Sequence, residues 1–564
     1  MRKNGKKWMS LLLAAAMASG MLTGCGSGGS DAAEDSKESG AAQQSGEQSA
    51  GQADKGGDTS DGGDSQEERP TFKIVTVRWD GNWPTDFLSQ GFMKEMEEKA
   101  GINIEWEIYS YADWGEQRSL LLASEDLPDA FLGSITLTAS DIAMNREYFV
   151  DLTDKIGDMP NLTKAMEADP VLRAICTDRE GKIYSLPKRL AMRPKVNGDV
   201  AYINRDWLER LNLEAPKTIE ELTNVLLKFK EEDADGDGDP DNEFPITGDS
   251  GAPLFDDLRH VLSPFGTMVS RDGNWMGLNN DGEPVFVPAQ ENYKEAVKWM
   301  RSLWEQGIVD PERFTQDGST RQAKQQAEGG SQVGLVFGWT ADSQVGMNVD
   351  QFEVLEAVEG WNGIHYLEST TDYLDVTDRE LVITKNCKDP DALLRWADNF
   401  YTDLPSLQMT YGEIGVAITD NGDGTYSVDR PTDGTSMDTF AWCHSLRDFG
   451  PKWMNPAFEE NVILPVEEGD GVKRAEDAVN EQYVTLDRNV GLPMVHYTDE
   501  ELERLTTISS DISPYVDAQY SHWVVDGGIE EEWDAYIEKL KEMSLDEYVE
   551  IQKAAFTAYK ESMK

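Results

Sequence analysis

The chain has 564 residues, with 51 Lys and Arg against 106 Asp and Glu, a formal charge of −55 at neutral pH. That acidity excludes nucleic acid and an anionic membrane face as partners, because no basic stripe offsets the repulsion. Hydrophobic residues make up 39% and aromatics 9%, enough for real cores, and the length exceeds the roughly 250–300 residues at which a single core stops growing.

Residues 1–24 open with Arg2, Lys3, Lys6 and Lys7, contain no acid, and continue into an apolar run from Trp8 to Leu22. The run is shorter than the ~20 apolar residues of a membrane span, so basic start, apolar stretch and small residues read as a secretory signal peptide. It ends in Leu22-Thr23-Gly24-Cys25. This resembles the lipobox of bacterial lipoproteins, which implies cleavage before Cys25 and diacylation of that residue. Each buried CH₂ of an acyl chain contributes about 0.8 kcal/mol. The two chains on Cys25 would hold the protein at the extracellular face of the cytoplasmic membrane, anchored by lipid only. The other cysteines, Cys176, Cys387 and Cys443, form no CxxC pair, and four Cys do not make a disulfide scaffold.

Residues 25–70 follow as a tether. Within 26–69 the chain is Gly, Ser, Ala, Gln and acid-rich, without an aromatic residue. Such composition cannot bury enough apolar surface to offset its ordering entropy, and it behaves as an extended coil. The globular body is expected over 71–564. Phe72 to Val77 reads as a strand, Phe87 to Lys99 as an amphipathic helix ended by Ala100-Gly101, and Ile102 to Ile108 as a strictly alternating strand; Arg118 to Ser124 reads as a further helix. Strand and helix in alternation predict an α/β fold with a parallel sheet and crossover helices. The body is too long for one such sheet, so two lobes are predicted.

Further along stand Leu122 to Ala130 (LASEDLPDA), Phe149 to Thr153 (FVDLT), Met159 to Leu162 (MPNL), Gly181 to Pro187 (GKIYSLP), Tyr202 to Leu208 (YINRDWL) and Pro216 to Leu222 (PKTIEEL). An acidic, Gly-rich loop occupies 233–243. Carboxylates fall at Asp233, Asp235, Asp237, Asp239, Asp241 and Glu243, with Gly238 at the sixth place. That is the ligand spacing of an EF-hand Ca²⁺ loop, and Ca²⁺ takes 6–8 oxygens. The loop departs from a true EF-hand because its twelfth place is Phe244 and Pro245 follows, so no second helix is predicted. The site is structural, since no nucleophile or base stands nearby. Toward the end of the chain come Gly527-Gly528-Ile529 and Trp533-Asp534-Ala535-Tyr536.

In order and spacing these motifs resemble the extracellular solute-binding proteins of ABC importers, family 1-type, of the large Gram-positive lipoprotein kind that handles oligosaccharides. The resemblance covers most of 71–564. It implies an α/β, two-lobed periplasmic-binding-protein-like fold (type II), with lobes discontinuous in sequence, hinge segments and an interlobe ligand cleft. It also implies an ABC permease as partner and an oligosaccharide as ligand; a monomer is expected, since one tethered receptor presenting one cleft suits delivery. For the acidic loop it implies a calcium site closed by an acid just after the ninth place, here Glu243.

Of sixteen Trp, Trp79 and Trp83 lie in a turn directly after the first strand. Ligands of open α/β sheets sit beyond the carboxyl ends of strands, and an indole face suits the C–H face of a sugar ring. Trp114, Trp339 and Trp361 stand in loop-like contexts and join them as candidates, with core packing as the alternative for each. Trp207, Trp299, Trp304, Trp396 and Trp533 fall at helical spacing and read as core. Lys188, Arg189, Arg193 and Lys195 form a basic island. Arg189 and Arg193 are candidates to bind an acidic glycan through their guanidinium forks, with pairing to neighbouring acids as the alternative.

No catalytic constellation emerges. None of His260, His365, His444, His496 and His522 lies in HExxH, and no GxSxG, Walker A loop or GxGxxG occurs. The reading is therefore a non-enzymatic sugar-capturing subunit. A binding protein for peptides or another solute, and a tethered polysaccharide-active enzyme, stay open as alternatives.

Overall fold

The strand Thr71–Arg78 is the centre of the first lobe. Ile74, Val75 and Val77 are all buried, so the strand is apolar on both faces, as in a sheet covered by helices on either side. It pairs in parallel with Asn103–Ser110 and with Ala130–Leu132. The helix between the first two strands, Gly91–Ala100, stops where Gly101 turns left-handed at φ 71°. The prediction of a parallel sheet holds for these three strands. The sheet then continues with two antiparallel strands, Val376–Ile383 and Leu186–Arg189.

The computed structural model describes residues 69–563 apart from 79–83, 125, 191–197, 240, 271–273, 368–375, 433–436, 467–468 and 484–491. Residues Gln66–Lys564 form one compact unit. The leader, Cys25 and nearly all of the tether lie outside the described residues.

The second lobe is built on a sheet ordered Phe352–Val354, Val200–Asn204, Val333–Gly338, Phe244–Ile246. Each lobe has its own core. The first is formed around Phe72, Ile74, Phe92, Leu186, Leu381 and Trp396. The second gathers Trp207, Phe229, Tyr293, Met300 and much of the C-terminal helices Asp499–Val525, Ile529–Glu542 and Leu545–Ser562. Trp207, Trp396 and Trp533 are buried, and Trp299 and Trp304 pack against the second core, as their helical spacing predicts.

The chain passes between lobes more than once. It leaves the first sheet after Leu186–Arg189 and enters the second at Val200–Asn204, then returns between Phe352–Val354 and Val376–Ile383. A third link is the helix Gly469–Asn480. At its start Asp470 accepts from Tyr411 Oη (2.7 Å) and pairs with Arg447 (3.0 Å). At its end Asn480 accepts from the Ala357 N–H (2.8 Å) and donates to the Leu355 carbonyl (3.3 Å). One helix is thereby pinned to the 403–447 region that follows the first sheet and to the second lobe.

Candidate ligand-binding site

The site begins where strands end. Arg78 closes the first strand and is buried. Its guanidinium donates to the Ser445 carbonyl (3.1 Å) and to the Trp442 carbonyl. The same group lies 5.3 Å from the Phe87 ring centroid and 5.1 Å from that of Trp442. It thereby ties the chain after the first strand to the helix Met437–His444. Between this helix and the start of Gly91–Ala100 lies a recess of about 300 Å³, walled by Phe87, Gln90, Glu413, Cys443 and His444. That is the lower end of small-molecule site volumes.

In the second lobe, Val333–Gly338 and Phe244–Ile246 run parallel, so their carboxyl ends share one edge. Asp199, just before the antiparallel strand Val200–Asn204, reaches the same edge. Its carboxylate accepts from Arg259 Nη2 at 2.9 Å and lies 3.1 Å from His260 Nε2. The His260 ring stacks on Phe337 at 5.1 Å and 13°. Trp339 is the residue after the strand. The Lys473 ammonium sits 4.8 Å from its ring centroid and pairs with Asp477 at 2.6 Å. Burial pushes the Asp477 carboxyl up to about 6, against the pull of Lys473. A further cavity of about 290 Å³ is lined by Arg146, Tyr184 and Arg379 of the first lobe, Ser270 of the second and Tyr497 from the C-terminal region.

The candidates read from sequence fare differently. Trp79, Trp83 and Arg193 lie outside the described residues. Trp114 requires correction: it belongs to the helix Tyr111–Ser124, is 1% exposed, packs on Tyr109 and Phe131, and donates to the Thr136 carbonyl (2.8 Å). Its ring faces are spent in the core. Arg189 also differs from expectation, because its fork grips Asp169, with Nη2 at 3.0 Å from Oδ1, and Lys188 is buried against Glu380 at 2.8 Å. Neighbouring acids satisfy this part of the basic island. Trp339 directly follows the strand Val333–Gly338. Trp361 is 48% exposed, with its indole N–H anchored to the Phe265 carbonyl (3.1 Å). Asp199, His260, Phe337, Glu413 and His444 were missed. The signal that could have found Asp199 and Phe337 is their position at strand ends; His444 and Glu413 reach the recess only through tertiary packing.

The acidic loop folds as a set of turns. Gly236 and Gly238 adopt φ 77° and 94°, and the Asp235, Asp237 and Asp239 carboxylates each accept from a backbone N–H two residues on. Ligand oxygens of Asp233, Asp235 and Glu243 lie within 4.8 Å of one another. Asp237, Asp239 and Asp241 are outside this group. Glu243 is fully buried, with Oε1 held by the Ala234 N–H (2.9 Å) and Oε2 without a hydrogen-bond partner. Burial first, then Asp235, raises its carboxyl above the usual range. A buried, half-satisfied carboxylate beside two others fits a hard cation bound by oxygen. Asn242 Oδ1 is likewise buried and unpartnered, an oxygen donor the spacing did not single out. After the loop comes the strand Phe244–Ile246, as the absence of a helical pattern predicts.

Comparison with known proteins fits this architecture. Residues 81–403 match the family described as bacterial extracellular solute-binding protein. The fructooligosaccharide ABC transporter substrate-binding protein FusA of Streptococcus pneumoniae serotype 4 (strain ATCC BAA-334 / TIGR4) is 29% identical over 514 residues, covering 87% of this chain and 91% of FusA. The structure of FusA with kestose superposes with a TM-score of 0.69 at 28% identity, over 87% of this chain and 99% of that one. An EF-hand mutant of FusA in complex with fructo-nystose gives 0.71 at 27%, with the same coverage. A solute-binding protein described as HMO-binding, from Bifidobacterium longum infantis ATCC 15697, gives 0.75 at 23% identity, again over 87% and 99%. The fold is the two-lobed α/β fold of solute-binding proteins. With more than half of its length matched, the chain belongs to the bacterial extracellular solute-binding protein family.

Proposed function

We propose that this protein is the lipid-anchored, extracellular substrate-binding component of an ABC importer. It captures an oligosaccharide between its lobes, closes on it and delivers it chemically unaltered to the permease. The observation that carries this reading is similarity to FusA along 87% of the chain, in sequence and in fold. The candidate site supports it. The second lobe presents aromatic rings at strand ends (Phe337, Trp339) and the first lobe presents Phe87 in the 3-10 turn Asp86–Ser89, beside carboxylates, amides and imidazoles, the chemistry that grips a ring with an apolar face and a hydroxyl rim. Ligand contacts in two lobes favour the closed state over the open one and shift the population toward it. Anchorage is through Cys25, and the monomer presents one cleft. Ca²⁺ is structural, held by Asp233, Asp235 and Glu243, with Asp237, Asp239 and Asp241 around them.

The test is calorimetric titration of the purified protein with kestose, fructo-nystose, human-milk oligosaccharides, pectin fragments and peptides. Each mixture is afterwards analysed by chromatography. Saturable binding of a sugar with no new product is expected. Shortened sugars, or binding confined to peptides, would overturn the reading.

A further inference from the structure

The two lobes also meet through an ionic clasp. Arg146 of the first lobe pairs with Asp499 (3.3 Å), and Arg179 pairs with Glu501 (3.4 Å). Both acids stand in the first turn of Asp499–Val525, a helix of the second core. Just ahead of it, His496 Nε2 donates to the Ile175 carbonyl. Beside the clasp, helix Pro170–Cys176 of the first lobe rests on Leu545–Ser562 of the second, and Tyr559 packs against both cores.

Backbone pairing fixes where the clasp sits. Phe149, three residues after Arg146, bridges Thr384, whose N–H donates to the Asp129 carbonyl where the strand Ala130–Leu132 begins. Arg179 lies in the turn that leads through Ile183 into the amino end of Leu186–Arg189. The crossings between lobes leave from the other end, where Arg189 and Val376 face each other in register. Ligands of such sheets sit beyond the carboxyl ends of the strands. Along the strands the order is therefore ligand edge, crossings, clasp. Lobes that turn about the crossings to close in front of them part behind them. The run from Ile183 to Arg189 spans about 20 Å at ~3.3 Å per residue. A rotation of about 15°, the size of a rigid-body switch, moves a contact at that distance by ~5 Å, more than either ion pair tolerates.

Opening strands neither partner. Arg146 keeps Asp178 (3.6 Å) and Glu180 (3.5 Å) within its own lobe, and Glu501 keeps the Thr498 N–H (2.8 Å). We propose that this clasp holds the sugar-free lobes apart and releases as the cleft closes, so that part of the sugar's binding free energy goes into opening it. The inference rests on the oligosaccharide reading and deepens it: ionic strength regulates capture of a neutral ligand through groups that never touch it.

The full-length protein is titrated calorimetrically with the tightest-binding neutral sugar of the panel. Titrations are run at about 0.01 M and about 1 M NaCl, between which the screening length falls from ~30 to ~3 Å. The wild type is expected to bind about fivefold more tightly at high salt, the size two partly exposed ion pairs support. The double variant Arg146→Gln, Arg179→Gln is expected to show that gain already at low salt and to lose most of the salt dependence. It should keep the wild-type melting temperature, because both arginines are partly exposed at the surface. Amide hydrogen exchange gives a second readout. Sugar is expected to speed exchange over residues 494–502 of the wild type, and the same amides exchange fast in the sugar-free variant. Equal or weaker affinity of the variant at low salt, or slower exchange over 494–502 on sugar binding, refutes the clasp and leaves the oligosaccharide reading in place. If no sugar in the panel binds, both fall.

Discussion

Glu243 is the residue on which the proposed calcium site turns. Its side chain is fully buried with one oxygen unpartnered, a cost to the metal-free protein that a bound cation removes. An ion that binds only the native state stabilises it by linkage, about 2.7 kcal/mol at a hundredfold excess over Kd. Exhaustive chelation is therefore expected to lower the melting temperature of the wild type by several degrees. Glu243→Gln should abolish that response, and a chelator effect of equal size in the variant would show that Glu243 is not a ligand. Asp517 makes a different point. Burial alone raises its carboxyl from 3.8 to about 6. A raised acid binds its proton more tightly folded than unfolded, so its share of stability is present at low pH and declines as pH rises from about 4 through about 6. Asp517→Asn is expected to be more stable than the wild type at neutral pH, with the difference closing below about pH 4. Melting curves across that range check it, and a pH-independent difference would refute it.

The helix Gly469–Asn480 is the element with most at stake. It carries Asp470 bonded to Tyr411 and Arg447, Lys473 over Trp339, Glu476 accepting from Tyr202 (2.7 Å), and Asn480 bonded to the strand exit at 355–357. A single rigid element thus touches a candidate ligand platform, the second sheet and the region after the first sheet. Asp470→Ala leaves the buried Arg447 without its carboxylate, a change worth about 3–5 kcal/mol. A matching fall in denaturant midpoint with an unaltered m-value is the expected result. A loss under about 1 kcal/mol would mean that Arg447 finds another partner. At the same scale, elements with strong periodicity were legible. The first strand and the helix end at Gly101 stand where the pattern puts them, but the helix read from Phe87 begins at Gly91, after a 3-10 turn over Asp86–Ser89 and an extended Gln90, and the strand read over Ile102 to Ile108 runs Asn103–Ser110. The helix read from Arg118 begins earlier, at Tyr111, and so takes Trp114 from its expected loop into the core between Tyr109 and Phe131. The two antiparallel strands of the first sheet went unread. Val376–Ile383 and Leu186–Arg189 join it from distant parts of the chain, and no local signal announces a partner some two hundred residues away.

For the whole molecule, two cores joined by repeated crossings predict hinged motion. A sugar that bonds both lobes at once stabilises the closed arrangement more than the open one. Small-angle scattering is expected to show a smaller radius of gyration on addition of the binding sugar, saturating with the calorimetric isotherm. An unchanged scattering profile at full occupancy would contradict closure. Chelation without sugar should leave the radius unchanged, since the acidic loop lies within the second lobe and touches none of the described crossings.

Some properties of this protein follow from residue order alone. Net charge and the alternation of strand and helix are local or additive, so composition and short-range pattern suffice to read them. The turns of the acidic loop were legible for the same reason, because alternating carboxylates and the left-handed Gly236 and Gly238 are set by spacing alone. The candidate binding site is different in kind. His260 meets Asp199 and Phe337, and Glu413 meets Gly91, across separations of tens to hundreds of residues. Which side chains share a recess, and which Trp turns its face inward as Trp114 does, is decided by the packing of two cores. Contacts made by packing depend on the whole chain's burial rather than on any segment's own preference, and so only the tertiary structure reveals them.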